Sequence, residues 1–402
     1  MFRGIENCKV KGKVVFLRVD LNVPTKGTEI LDDTRIRVAM PTIEYLVSHG
    51  AKAVVASHFG SPKGEGFNGD FSIKIVLEKL QSYIPKIRIH YSRECIGSEP
   101  KRIIRDARFG EIILLENLRF YKGEESNDEK FAKELASLAD MYVNDAFSTS
   151  HREHASMVGV PKFLDSYAGI SLKKEVGTLM GLISGHKSKE SLMFIVGGSK
   201  ISTKLGLLKS LVSKSGYLVP GGGIANTFLM AKGINIGKSV REENLLNESL
   251  EIMEEAEKNN CKVILPVDVV TTKEIKDEQT VKVKNLQSIL EDDIIVDLGP
   301  ETVKLIKNSL KLCSTVVWTG PIGVYEIIPF NRGTDAVAKT ISELTLDDNI
   351  RSVAGGGDIL AALNKTGVYS DFTHVTTAGG AFLKWLENMD LPAVRNLEIV
   401  RK

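Results

Sequence analysis

Leu192-Met-Phe-Ile-Val-Gly-Gly-Ser-Lys-Ile-Ser-Thr-Lys204 is the stretch from which the fold is read. Five apolar residues in a row read as a buried strand, and they run directly into Gly197-Gly198. Adjacent glycines let a backbone come close to a bulky anion. A helix starting there would aim free N–H groups and its positive end at that anion. Lys200 and Lys204, four residues apart, would then share one helical face and reach the same polyphosphate. The segment matches neither G-x-x-x-x-G-K-[ST] nor G-x-G-x-x-G. By itself it is equally compatible with a surface helix after a glycine turn.

The same design recurs downstream. Tyr217-Leu-Val-Pro-Gly221-Gly-Gly, Ile294-Ile-Val-Asp-Leu-Gly299, Val316-Val-Trp-Thr-Gly320-Pro-Ile-Gly323, Val353-Ala-Gly355-Gly-Gly-Asp358 and Val375-Thr-Thr-Ala-Gly379-Gly each take an apolar run into glycine and a helix start. Short apolar runs alternating with helical patterns predict a parallel sheet of βαβ units, with ligands outside the carboxyl ends of the strands. The first half alternates too, with strands expected at 14–19, 53–56, 87–90, 112–115 and 141–143. A helix is expected over 127–139, opened by a Ser126/Glu129 capping box.

The chain has 402 residues, more than one core usually holds, so two domains are expected. Its net charge of +2 disfavours a general nucleic-acid or membrane-surface binder. No apolar run is long enough to span a bilayer, and the first residues lack a signal-peptide pattern. Cys8, Cys95, Cys261 and Cys313 form no C-x-x-C pair and read as free thiols of a reducing cytosol. The join is expected near 166–186, where Leu172, Val176, Leu179 and Ile183 keep helical spacing. Pro392 is expected to end the last helix.

The residues just past the strand ends differ between the halves. In the first half these positions carry Arg18, Asp20, Asn22, His58, Arg119, Asp145, His151 and Arg152; in the second they are mostly bare backbone. The first half therefore suits a small, strongly anionic molecule and the second a nucleotide. Arg18-Val-Asp20-Leu-Asn22 sets alternate polar side chains on one face, where Asp and Asn can hold hydroxyls, or can simply cap a turn. Arginine after a buried strand suits paired hydrogen bonds to phosphate. Asp358, after Gly355-Gly-Gly, suits a magnesium ion held by one carboxylate and phosphate oxygens, or an N-cap. Glu326 suits a ribose.

Taken in order, Arg-Val-Asp-Leu-Asn-Val-Pro (18–24), Ser-His-Phe-Gly (57–60), Leu-Glu-Asn-Leu-Arg-Phe (115–120), Asn-Asp-Ala-Phe-Ser-Thr-Ser-His-Arg (144–152), Gly-Gly-Ser-Lys-Ile-Ser-Thr-Lys (197–204), Trp-Thr-Gly-Pro-Ile-Gly-Val-Tyr-Glu (318–326) and Gly-Gly-Gly-Asp (355–358) resemble phosphoglycerate kinase along essentially the whole chain. The resemblance implies an α/β fold of two Rossmann-like domains, parallel sheets flanked by helices, facing a hinge-bending cleft. An N-terminal phosphoglycerate-binding domain is expected over 1–167 and a C-terminal nucleotide-binding domain over 168–387. A connecting helix is expected at about 167–185, and a tail, 388–402, that packs back on the N-terminal domain. By motif position, Asp20, Asn22, Arg35, His58, Arg119 and Arg152 carry over as phosphoglycerate contacts. Gly198, Lys200, Lys204, Gly222, Glu326, Gly356, Gly357, Asp358 and Ile359 carry over to the nucleotide, with Asp358 on Mg²⁺. Lys200 and Arg35 would flank the phosphoryl group in flight. The implied enzyme is a cytoplasmic, glycolytic monomer acting on small molecules, 1,3-bisphosphoglycerate with ADP and 3-phosphoglycerate with ATP, without nucleic acid or membrane partners.

Ser61 stands where the family has arginine, which predicts weaker phosphoglycerate binding unless Lys63 substitutes. Ile359 stands for threonine, leaving only a backbone N–H for the nucleotide. Both nucleophiles of such a transfer are already anionic, so alignment and charge neutralisation are expected to do the catalysis. An NAD-type dehydrogenase would require G-x-G-x-x-G and a downstream acidic ribose ligand. A non-catalytic nucleotide binder would not require the arginines and Lys200.

Overall fold

The computed structural model describes residues 3–184, 188–276 and 280–397. The chain divides into two compact units, Met1–Gly177 with Asp390–Lys402, and Thr178–Met389.

The first unit is built on a six-stranded sheet in the order Ile89–Tyr91, Ile112–Leu114, Lys52–Ala56, Val14–Arg18, Met141–Asn144, Ser166–Ala168, with every neighbouring pair parallel. Its central strands are buried on both faces, which is why they read as unbroken aliphatic runs. Val15 and Leu17 join a core with Ile43 and Leu46 of the helix Thr34–Ser48. Phe16, pointing the opposite way, stacks on Tyr142 at 6.1 Å. Ser166–Ala168, expected to open the connecting helix, is instead the edge strand of this sheet. The helix itself is Ile170–Ser184, and Leu172, Val176, Leu179 and Ile183 are its buried stripe.

The second unit has a six-stranded parallel sheet in the order Lys262–Val263, Tyr217–Pro220, Leu192–Val196, Thr315–Thr319, Arg351–Gly355, His374–Thr376. Ile294–Leu298, expected in this sheet, lies elsewhere. It pairs antiparallel with Asp268–Thr272, which also pairs antiparallel with Lys282–Asn285. The periodicity of an apolar run does not distinguish the two settings. Gly299 accordingly opens the helix Pro300–Leu310 and is not part of the parallel sheet's edge.

Two further expectations are corrected. The helix after residue 126 is Glu129–Ala136, capped by the Asp128 side chain, which accepts the Phe131 N–H at 2.7 Å, and not by Ser126. Asn127 stands at a φ of 52°, so the chain turns sharply before the helix begins. Pro392 does not end the last long helix. Gly379–Asn388 stops at the left-handed Met389, and Pro392 starts the short helix Pro392–Arg395, a first-turn position where its missing N–H is no loss. Within the first unit Ala393 N–H donates to Ser150 O at 3.1 Å and Arg3 N–H to Leu397 O at 3.1 Å. The remainder of the expected tail, 398–402, lies outside the described residues.

Candidate active site

In parallel sheets all carboxyl ends fall on one edge, and each unit gathers its chemistry there. In the first unit Arg18 ends its strand almost fully buried. Its Nε donates to Ser156 Oγ at 2.9 Å, and Nη2 lies 3.3 Å from His58 Nδ1. Ser156 Oγ donates in turn to Glu124 Oε1 at 2.6 Å. Two residues on, Asp20 pairs with Arg35 at 3.0 Å, while the same Arg35 Nη1 donates to Asn22 O at 2.9 Å. Asn22 Oδ1 accepts the Gly60 N–H at 2.8 Å, and Arg119 Nη1 donates to Gly60 O at 2.7 Å. Arg119 Nε is 3.2 Å from Glu125, too poorly angled for a hydrogen bond. Asp20, Asn22, Arg35 and Arg119 are therefore joined through one network, His58 stands beside it on Arg18, and exposed Ser61 follows Gly60.

The electrostatics of this edge are those of an anion site. Burial, then Arg18, Arg119, Arg152 and Arg35, push His58 well below the usual imidazole range, so it is neutral at physiological pH. Burial and the guanidiniums of Arg119, Arg152 and Arg18 hold His154 down to about 4. Burial and Arg152 also lower Arg119. Guanidiniums gathered on one edge leave a positive potential that a phosphate or carboxylate relieves.

Asp145 departs from its expected place among these groups. It is buried, one carboxylate oxygen accepts Leu172 N–H at 2.8 Å, and it sits under the start of the helix Ile170–Ser184. Burial pushes it up to about 7.

In the second unit the glycine turns form a cavity of about 300 Å³. Gly198, Gly222, Glu326 and Asp358 line it. The close approach is obligatory. A Cβ on Gly197 would lie 1.8 Å from Pro321 O, and Gly222, at a φ of +61°, would set one 2.9 Å from Gly198 O. Gly356 caps the helix Gly357–Thr366, so Asp358 stands in its first turn and is not its N-cap. Ile359 turns into the core, leaving only its backbone toward the edge. The opposite wall, Ile294–Leu298 with Asn226 and Val240, was not legible as part of the site. The run Ile294–Leu298 was visible as a strand, but its sheet was not. Asp297 on that wall is pushed up to about 8 by burial.

The lysines do not share a helical face. Ser202–Lys204 is a single 3₁₀ turn and the α-helix begins at Leu205. Lys200 precedes both and is exposed. Ser202, at the head of that turn, is held by Glu242, which accepts its N–H at 2.8 Å and its O–H at 2.6 Å. The N–H groups expected to meet an external anion are met by an internal one. Lys204 lies behind the cradle, its Nζ donating to Gly197 O and, at 3.4 Å, to Thr319 O. Burial lowers it to about 8, against the nearby charge of Asp358.

Among the described residues no cluster of His, Cys, Asp and Glu could by itself hold a metal ion. The donor set does fit magnesium shared with a polyphosphate: one hard carboxylate, Asp358, on a cavity walled by bare backbone.

Comparison with known proteins identifies the family. The phosphoglycerate kinase family profile matches residues 5–389. The chain is 44% identical over 398 residues to the phosphoglycerate kinase of Rhizorhabdus wittichii, covering 99% of each. It is 46% identical over 394 residues to that of Wolbachia pipientis subsp. Culex pipiens, covering 98% of each. The structure of phosphoglycerate kinase from Coxiella burnetii superposes with a TM-score of 0.90 at 38% identity, covering 99% of both chains. That from Pyrococcus horikoshii gives 0.79 at 30%, covering 99% of this chain and 98% of the other.

Proposed function

The chain belongs to the phosphoglycerate kinase family, and we propose that it performs glycolytic phosphoryl transfer, 1,3-bisphosphoglycerate and ADP giving 3-phosphoglycerate and ATP, reversibly and directly. The observation that carries the reading is the positive edge of the first unit, where burial and then four guanidiniums hold His58 neutral. Such an edge takes an acyl phosphate or a phosphorylated acid in preference to a neutral sugar or a nucleobase.

On this reading Arg119, Arg152 and His58 bind the phosphorylated acid, and Asp20 and Asn22 orient its hydroxyl. Arg35, already tethered to both, points its remaining donors at the reacting carboxyl phosphate. Lys204 and the N–H groups of the Gly356 turn hold the nucleotide phosphates, and Glu326 the ribose. Magnesium, held by Asp358 with phosphate oxygens, would supply charge neutralisation on the nucleotide side. Attack by an ADP oxygen on the acyl phosphate needs no proton abstraction, since both attacking and leaving oxygens are anionic. Lys200 and Arg35 stabilise the charge of the group in transit.

Because each unit carries one substrate, transfer requires the two to close on each other and exclude water. Small-angle scattering should show compaction only with both ligands. By resemblance to the family we take a cytoplasmic monomer as the working state. Among the described residues no helix is long and apolar enough to cross a membrane. The deciding experiment is a coupled assay for ATP formed from ADP and 1,3-bisphosphoglycerate. Purified protein that forms none overturns the proposal.

A further inference from the structure

Lys200 is exposed and precedes the turn Ser202–Lys204, its carbonyl accepting the Thr203 hydroxyl at 2.9 Å, and the proposed reaction needs its ammonium in one place. The segment carrying it is tied down on both sides. Upstream, Gly198 O accepts the Ile224 N–H at 3.2 Å, and Gly223 lies so near Ser199 O that a Cβ would come within 2.2 Å. Downstream, Ile201 is fully buried and Glu242 grips Ser202 by two hydrogen bonds, one to N–H at 2.8 Å and one to O–H at 2.6 Å. Glu242 is itself fixed: its N–H donates to Thr227 Oγ1 at 3.2 Å, and that hydroxyl donates to Gly223 O at 2.8 Å. The helix Gly223–Ala231 thus holds both ends of the Lys200 segment, one directly and one through Glu242.

We propose that Glu242 is a positioning residue for phosphoryl transfer: its carboxylate occupies the first turn after Lys200 and thereby fixes where the Lys200 ammonium is presented. The inference rests on the proposed phosphotransferase activity and on the role it gives to Lys200. A carboxylate suits the post because it accepts two donors at once in charge-assisted bonds. Its ionisation is consistent: burial alone would raise the pKa, but Ser202, the Ile201 N–H and the charge of Lys200 together lower it. Glu242 also keeps these N–H groups from the nucleotide, leaving its phosphates to the Gly197–Ser199 backbone, Lys204 and the Gly356 turn. A side chain that only orients another acts on kcat and not on ground-state binding.

The test is a set of four enzymes, wild type, Glu242→Ala, Lys200→Ala and the double variant, each assayed over ADP and 1,3-bisphosphoglycerate concentrations up to saturation with thermal midpoints recorded. Glu242→Ala is expected to lower kcat on the order of 10- to 100-fold while changing either KM by no more than about twofold. Glu242→Gln, which keeps one acceptor oxygen, should fall between. In the Lys200→Ala background the Glu242→Ala change should cost kcat nothing further, a result that general loosening of the fold would not produce. Full additive loss, an unchanged kcat, or a raised KM for ADP with kcat intact would each overturn the assignment. If Glu242→Ala does not fold, Ser202→Ala removes one of the two bonds and should lower kcat about threefold to tenfold; an unchanged kcat there also overturns it. Wild-type enzyme that forms no ATP would overturn the phosphotransferase reading itself, a failure separate from that of Glu242.

Discussion

Nucleotide affinity should fall with rising pH, and Lys204 is the reason. In the free protein its ammonium is buried against the carbonyls of Gly197 and Thr319, and burial lowers it to about 8 from 10.5 even with Asp358 nearby. A bound diphosphate favours the charged form and restores the pKa. Above about pH 8 the free enzyme has therefore lost a proton that the complex regains, so binding is coupled to proton uptake and weakens by about tenfold per pH unit. If the complex recovers the ordinary value of 10.5, the window spans about 2.5 units, roughly 300-fold in affinity or about 3 kcal/mol. Below about pH 8 both states are protonated and the dependence vanishes. Titration calorimetry of ADP in two buffers of different ionisation enthalpy reads the proton uptake directly. Lys204→Met should bind more weakly, with no slope above about pH 8. A wild-type affinity that stays flat from about pH 7 to about pH 9.5, or a slope that survives in Lys204→Met, refutes the argument.

Replacing Lys200 by alanine should lower kcat by roughly 10²- to 10³-fold with little change in either KM, since its interaction is made with the group in transit; a mainly KM effect in steady-state kinetics would make it a binding residue. Arg152→Ala should raise KM for the phosphorylated acid about 10- to 100-fold through loss of a charged hydrogen bond. The same change should move His154 upward from about 4, because one of the cations holding it down is gone, and an NMR titration of the imidazole would register no shift if Arg152 lay elsewhere. Ser61→Arg should tighten 3-phosphoglycerate binding by about tenfold; equal affinity at matched salt would show that the exposed serine does not weaken the site.

The family and the edges where its candidate site residues gather were legible because they are written in residue types that serve few other purposes at strand ends. Glycines after aliphatic runs marked the edge where the cavity of the second unit lies, and arginines after Ile112–Leu115 and Met141–Val143 marked the anion edge of the first. The expected sharing of a helical face by Lys200 and Lys204 failed for a specific reason. Spacing reports which side chains would align if a helix forms, but the backbone is still turning at Gly198, with a φ of 143°, and the α-helix begins only at Leu205. Asp145, expected among the charged residues past the strand ends, is a buried partner of a helix start, since a strand-end carboxylate reads the same whichever way it turns. The wall of the cavity supplied by Ile294–Leu298 was hidden because an aliphatic run does not declare its pairing partners.

What the amino-acid order alone determined, then, was local: which runs become strands, where backbone must be bare, and which charges stand at strand ends. Alternation and steric permission act over a few residues, so they can be read without knowing the rest. Only the tertiary structure decided the state of those groups. The depression of His58, the lowered Lys204 and the grip of Glu242 on Ser202 each arise from burial and from charges brought close from distant segments. Desolvation and Coulomb forces depend on distance through space, and no spacing along the chain encodes that distance.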